Sequence, residues 1–281
     1  VSKRNLPKAD IQVRPGVRSD VSADAVKRWN PDIKVANEAS GENSISVMDP
    51  IGENWFGDGV TAKRIAAALR QIGENDVVVN INSPGGDFFE GLAIYNLLRE
   101  HNGAVTVKIL GMAASAASFI AMAGDDIQIA RASFLMIHNT QVYAAGDRHD
   151  LREVADWLDP FDQALVDIYA SRTGLGEKEL GAMLDRETWI GGSAAVEQGF
   201  ADGLLPSDEI DTSTSNSTST TPMAAQKKMD LHLTRAGVSR TDRRELVAAL
   251  KGGKPSAAPT SMPRAAEIEA ASSLLETLKS I

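Results

Sequence analysis

Three groups of residues between Val77 and Asn139 have types and an order suited to hydrolytic chemistry. The first is Asn82-Ser83-Pro84-Gly85-Gly86, which breaks the uncharged run Val77 to Ile81. Pro84 removes a donor and fixes φ, while Gly85 and Gly86 accept positive φ and close approach of other backbone. With Asp87 as N-cap the turn opens a helix to about His101, and a helix start behind a glycine turn favours an anion or a developing oxyanion. The second is Ser115 in Gly111-Met112-Ala113-Ala114-Ser115-Ala116-Ala117-Ser118-Phe119, where small neighbours leave room and a beginning helix favours negative charge. Ser118, one helical turn on, is its rival as nucleophile. The third is His138, the last residue of the apolar strand Phe134 to His138. A serine hydroxyl is a weak nucleophile until a base takes its proton, and neutral imidazole suits that task near neutral pH. Taken singly, each has a plain structural reading: an ordinary strand-to-helix turn, a tightly packed Ala/Ser helix, a satisfied histidine. Their order between positions 85 and 138 is what points to chemistry. A Ser-Lys pairing with Lys108 is disfavoured, because that lysine sits inside the strand before Ser115.

The segments INSPGG, GMAASAAS and MIHN together resemble the Clp protease proteolytic subunit family, within the wider Clp/crotonase fold, over roughly Ser46 to Leu205. The resemblance implies Ser115 as nucleophile, His138 as general base, and an oxyanion hole of backbone N–H groups from Gly86 and Ala116. It also implies an extended polypeptide substrate lying along Gly85, Gly86, Asn139 and Thr140, bound mainly through backbone pairing. Aligning Gly199 and Asp202 with the family's signature puts Glu187 where the family usually carries the triad aspartate; Asp185 is the alternative acid. A glutamate can orient an imidazole, though with a longer side chain. The resemblance further implies self-association into a heptameric ring or double ring, and neither a metal nor a cofactor.

Elements must position these residues. Val77 to Ile81 reads as a strand buried on both faces, Ile45 to Met48 as the first core strand and Val105 to Leu110 as another. Val60 to Ile72 carries Ile65, Ala66, Leu69 and Ile72 at helical spacing, and a short helix is predicted from Gly111 to Gly124. Leu151, Val154, Leu158, Phe161, Leu165 and Ile168 form an apolar seam within Gly146 to Arg172. Pro160, with Asp159 as a new N-cap, predicts a kink or two helices there. By resemblance this region is the helical handle that joins two rings. The fold class is α/β; periodicity alone admits a doubly wound sheet equally, and the resemblance makes it the Clp/crotonase-like arrangement of repeated ββα units with a protruding handle.

The chain of 281 residues, 43% hydrophobic, supports one sizeable core and an appendage. Without cysteine it has neither disulfides nor a thiolate metal site. No apolar run reaches the ~20 residues of a membrane span, and no secretory signal is evident, so a soluble, cytoplasmic protein is expected with no membrane partner. A formal charge of −9 argues against nucleic acid as principal ligand. Four segments are expected: an N-terminal arm (1–43), with Trp29-Asn30-Pro31 and Ile33 to Val35 as a docked edge; a protease domain (44–206); a Ser/Thr-rich linker (207–222); and a basic, partly helical or disordered tail (223–281). That tail holds ten basic and six acidic side chains, against 19 and 32 in the rest. Thr241 or Ser239 is placed to cap a helix before Leu246 to Leu250, and Ile268, Leu275, Leu278 and Ile281 share one helical face. The basic extension and the Glu187-Thr188-Trp189 variant resemble phage or prophage Clp-related head maturation proteases. This implies capsid or scaffold protein as substrate and partner, in host cytoplasm or assembling procapsid. The alternatives are a general Clp subunit working with an ATPase, and a catalytically silent or crotonase-like coenzyme A-binding protein.

Overall fold

The computed structural model describes residues 17–19, 21–35, 43–52, 59–206, 210–211 and 221–250. The chain divides into two compact units, residues 1–224 and 225–281.

In the first unit, β4 (Val77–Ser83) is buried along its whole length and sits between β3 (Ser44–Val47) and β5 (Val105–Ala114), all parallel. Beyond β5 the parallel sheet continues through β6 (Asp126–Ala130) to β10 (Gly203–Leu205). A parallel strand needs a crossover, and its faces are covered by the helices that make it. Here these are α2 (Ala62–Ile72) between β3 and β4, α3 (Phe88–Glu100) between β4 and β5, and α4 (Ala116–Ala121) after β5. The result is a mixed α/β architecture around a mostly parallel sheet.

The feature that builds the site is a fork in β5. Its first half, Thr106 to Ile109, pairs with β6, and its second, Met112 to Ala114, pairs with β7 (Phe134–Ile137). Ala114 lies opposite Met136, so the residues that end the two strands emerge side by side. The far edge of β7 is taken by antiparallel β9 (Thr188–Gly191). This corrects the expectation of a helix from Gly111: residues 111–114 are strand and α4 begins only at Ala116. Alanine's helix preference amounts to a fraction of a kcal/mol per residue and yields to a ladder with a buried partner strand.

α5 (Arg148–Thr173) follows β8 (Val142–Tyr143) and starts with a capping box between Asp147 and Asp150. It runs through Pro160 as one helix, so of the kink or two helices expected there, two separate helices do not form. Both Pro160 and Asp156 one turn before it are exposed, so solvent is at hand for the carbonyl that proline leaves unbonded. The first half of α5 is largely exposed, Leu151 by 47%, whereas Phe161, Leu165, Ile168 and Tyr169 join the main core. Near its end, the buried Arg172 donates to the Gly124 carbonyl (3.2 Å) and to Asp202, which also accepts from the Ile127 N–H (2.8 Å). Asp202 therefore ties α5 to β6. α6 (Glu177–Asp185) leads to β9, and α7 (Gly192–Glu197) leads to β10.

Part of the N-terminal arm packs against this body. α1 (Ala23–Arg28) is capped by Ser22, and Ala25 and Trp29 are fully buried with Met112, Ala114 and Met136. β1 (Arg18–Ser19) pairs antiparallel with β8, and β2 (Lys34–Val35) pairs antiparallel with β11 (Ile210–Asp211).

In the second unit, α8, which begins just before it (Pro222–Arg235), and α9 (Arg240–Leu250) are joined through Gly237 at φ 80°. Ser239 accepts the Asp242 N–H and so caps α9, while Asp230 and Arg243 form a buried ion pair at 2.9 Å. The residue face Ile268, Leu275, Leu278 and Ile281 and most of the Ser/Thr run lie outside the described residues. No helix among the described residues is long and apolar enough to cross a membrane.

Candidate active site

Ser115 occupies the single residue between β5 and α4, with φ 54° and ψ −123°. Among the described non-glycine residues only Ser115 and Glu187 have positive φ. Such a backbone costs about 1–3 kcal/mol and persists only when its surroundings over-determine it. They do so here. The Ser115 N–H donates to the Met136 carbonyl (2.9 Å), continuing the ladder between β5 and β7. Its carbonyl accepts the Ser118 hydroxyl at 2.5 Å, and Ser118 Oγ lies 2.7 Å from Tyr169 Oη. Because a carbonyl only accepts, Ser118 must donate to it, and Tyr169 therefore donates to Ser118. Burial pushes the Tyr169 phenol up from its ordinary range, which keeps it a donor. Ser118 itself is wholly buried and spends its proton on this contact, so it supports the turn and has no access to a substrate.

His138 follows β7 directly. Its Nε2 is 2.7 Å from Ser115 Oγ and its Nδ1 is 2.5 Å from the Asn139 carbonyl oxygen. The carbonyl contact fixes the tautomer: Nδ1 carries the proton and the Nε2 lone pair faces the serine hydroxyl. Lys108, by contrast, lies mid-strand, in register with Asn80 and Gln128.

The glycine turn is held from both sides. Ser83 Oγ donates to the Asp49 carbonyl (2.7 Å), and Asn82 accepts at its own carbonyl from the Trp29 indole (3.0 Å). Ile51 donates to the Gly85 carbonyl (2.8 Å) and accepts the Asp87 N–H (3.0 Å). The alternation of an extended segment then turns the Gly86 backbone groups to the opposite edge, where Gly86 lines one cleft with Ser115, Ala116 and His138. Glycine is obligatory at both positions. A Cβ on Gly85 (φ 89°) would sit 2.6 Å from Ser115 Cβ, and one on Gly86 (φ 153°) would sit 2.1 Å from the Ile51 carbonyl oxygen.

The carboxylates are placed less simply. Glu187, at φ 50° between α6 and β9, accepts from Ser22 Oγ (3.1 Å) and from the Trp189 indole (3.3 Å). Asp185 accepts the side-chain amide of Asn139 at 2.8 Å. Thr140, expected to face an extended substrate, donates its N–H to Asp162 on α5 at 2.6 Å. The strand after Thr140 is also occupied, since Ser19 pairs opposite Val142 while its hydroxyl accepts the Phe88 N–H (3.1 Å). Asp162, Tyr169, Ser19 and Ser22 were not marked by any motif. The one available signal was the spacing of Asp162, Leu165 and Tyr169, which places them on a single face of α5.

A family model described as Clp protease matches residues 30–208. The chain is 31% identical to the ATP-dependent Clp protease proteolytic subunit of Deinococcus radiodurans over 134 residues, 47% of this chain and 66% of the relative. It is 30% identical to the ATP-dependent Clp protease proteolytic subunit 1 of Streptomyces avermitilis over 182 residues, 62% of this chain and 79% of the relative. It is also 30% identical to the ATP-dependent Clp protease proteolytic subunit of Bacteroides fragilis over 154 residues, 53% of this chain and 74% of the relative. With most of its sheet, its glycine turn and both the serine and histidine inside the matched span, the chain belongs to the Clp protease family.

Proposed function

We propose that this chain is a serine endopeptidase of the Clp proteolytic-subunit type, and that it cleaves capsid or scaffold protein during phage head maturation. The observation that carries the peptidase reading is the 2.7 Å contact from Ser115 Oγ to His138 Nε2 at a strand-to-helix turn with positive φ. In this reading Nε2 takes the hydroxyl proton as Ser115 Oγ attacks the peptide carbonyl, and returns it to the departing amine. Backbone N–H groups of Gly86 and Ala116 receive the oxyanion, and Glu187, or Asp185 in its place, supplies the acid. Residues 85–86 and 139–140 bound the substrate path, in a heptameric ring or double ring that excludes folded chains.

The head-maturation reading is supported by the opposed charges of body and C-terminal extension, ten basic against six acidic side chains beyond residue 222. The extension would direct the protease to capsid or scaffold protein. A general subunit working with an ATPase is the second reading, favoured by the names of the relatives.

Treatment with a fluorophosphonate followed by peptide mapping tests the chemistry: labelling at Ser115, lost in S115A, is expected, and an unlabelled folded protein would refute it. Deleting residues 211–281 tests the role. Peptide cleavage should persist while incorporation into capsids is lost, and undiminished incorporation would refute targeting by the tail.

A further inference from the structure

One peptide group connects His138 to a carboxylate that no motif identifies. The carbonyl at its Asn139 end lies 2.5 Å from His138 Nδ1, and the N–H at its Thr140 end donates to Asp162 at 2.6 Å. A peptide unit is planar and trans, so its C=O and N–H point in opposite directions. A carboxylate that fixes the N–H therefore also fixes where the C=O is aimed. Hydrogen bonds in such a chain polarise one another: negative charge at the N–H end makes the carbonyl oxygen a better acceptor.

We propose that Asp162 is a positioning residue that acts on His138 through the Asn139–Thr140 peptide, holding its N–H so that its C=O holds the imidazole Nδ1–H. This rests on the peptidase reading of Ser115 and His138 and adds a residue to it. The placement of Asp162 supports the role. It shares one face of α5 with Leu165 and Tyr169, and both of these line the cleft that contains Ser115 and His138. The helix that anchors the serine turn through Tyr169 and Ser118 thus also anchors the histidine through Asp162 and Thr140.

The charges around the imidazole come from several elements. From α5, Asp162 faces it, with Asp159 close enough to act on Asp162. From the end of α6, Asp185 is bound to the Asn139 side chain, and from the turn before β9, Glu187 is bound to Ser22 and Trp189. Burial raises the Asp162 carboxyl above its usual range, while the Thr140 bond and the His138 charge pull it back. The attraction is mutual: an ionised Asp162 favours the imidazolium that forms when Ser115 gives up its proton.

The test is the titration of His138 itself, followed by NMR of labelled imidazoles in the full-length chain, with H138Q to assign its signal among the four histidines. D162N keeps an oxygen acceptor and removes the charge, D162A removes both, and D162E restores the charge. The His138 midpoint should fall by about half a pH unit or more in D162N and D162A and recover in D162E. The acid limb of kcat/KM should move with it, with kcat reduced about tenfold and KM little changed. An unchanged midpoint in D162N and D162A, with native fold by circular dichroism, overturns the proposal. The titration requires no turnover, so its result is independent of fluorophosphonate labelling at Ser115, which tests the peptidase reading separately.

Discussion

The two sides of the site are built differently. Ser115 and His138 leave neighbouring strands of a buried sheet, and the register that puts Ala114 opposite Met136 brings them together. The carboxylates come from separate places: α5 for Asp162, the end of α6 for Asp185, and the turn before β9 for Glu187. On the serine side the turn is over-determined by the ladder between β5 and β7 and by the buried Ser118 and Tyr169 hydroxyls behind it. On the carboxylate side Asp162 holds a main-chain N–H, whereas Asp185 and Glu187 are held by side chains, one of them Ser22 in the N-terminal segment. Sheet register delivers a pair of residues with little freedom, whereas side-chain bonds between loops and helix ends allow the acid to come from more than one position.

The largest expected effect of breaking this comparison is on the serine side. S115A and H138Q should each lower kcat by about 10⁴-fold or more, and the double variant should lose little further, because the two act as a unit. Assay of a fluorogenic peptide, with circular dichroism to confirm the fold, checks this. Additive losses would mean the pair does not work together.

An intermediate effect is expected among the acids. E187Q should reduce kcat by about 10²–10⁴-fold if Glu187 completes the triad, with D185N costing less than about tenfold. The reverse order in the same assay would move the role to Asp185.

The smallest effect separates crowded from open backbone. G181A lies in α6 on the carboxylate side, where an added Cβ meets nothing within 4 Å, and should stabilise by about 0.5–1 kcal/mol through helix propensity. G85A, against Ser115, should instead destabilise and abolish labelling. Thermal denaturation of the two variants measures both. A neutral G85A would mean the turn is looser than its contacts indicate.

Several features were legible in the chain because they are local. The uncharged run from Val77, the Pro84-Gly85-Gly86 turn and the cap at Asp87 dictate a strand, a turn and a helix with little help from elsewhere, and α3 begins at Phe88 accordingly. Leu151 at the start of the seam along α5 is exposed, whereas the later part of the seam, Phe161, Leu165 and Ile168, was legible for the same reason. The extension of β5 through Ala114 was not, because pairing with β7 outweighs the helix preference of alanine, and that pairing is a long-range event. Of the kink or two helices expected at Pro160, two helices did not form: a single lost bond on an exposed face does not end a helix whose second half is packed in the core.

Residue types suited to chemistry could be read along the chain: a serine among small residues, a histidine at a strand end, a glycine pair after a proline. Tertiary structure alone decided which of them meet. It brought Ser115 and His138 to 2.7 Å through the fork in β5, buried Ser118 against Tyr169, and placed Asp162 on the Thr140 N–H from a helix that begins ten residues after His138. Spacing along a chain encodes neighbours within a helix or a strand. Contacts between elements depend on sheet order and helix packing, which no local pattern records.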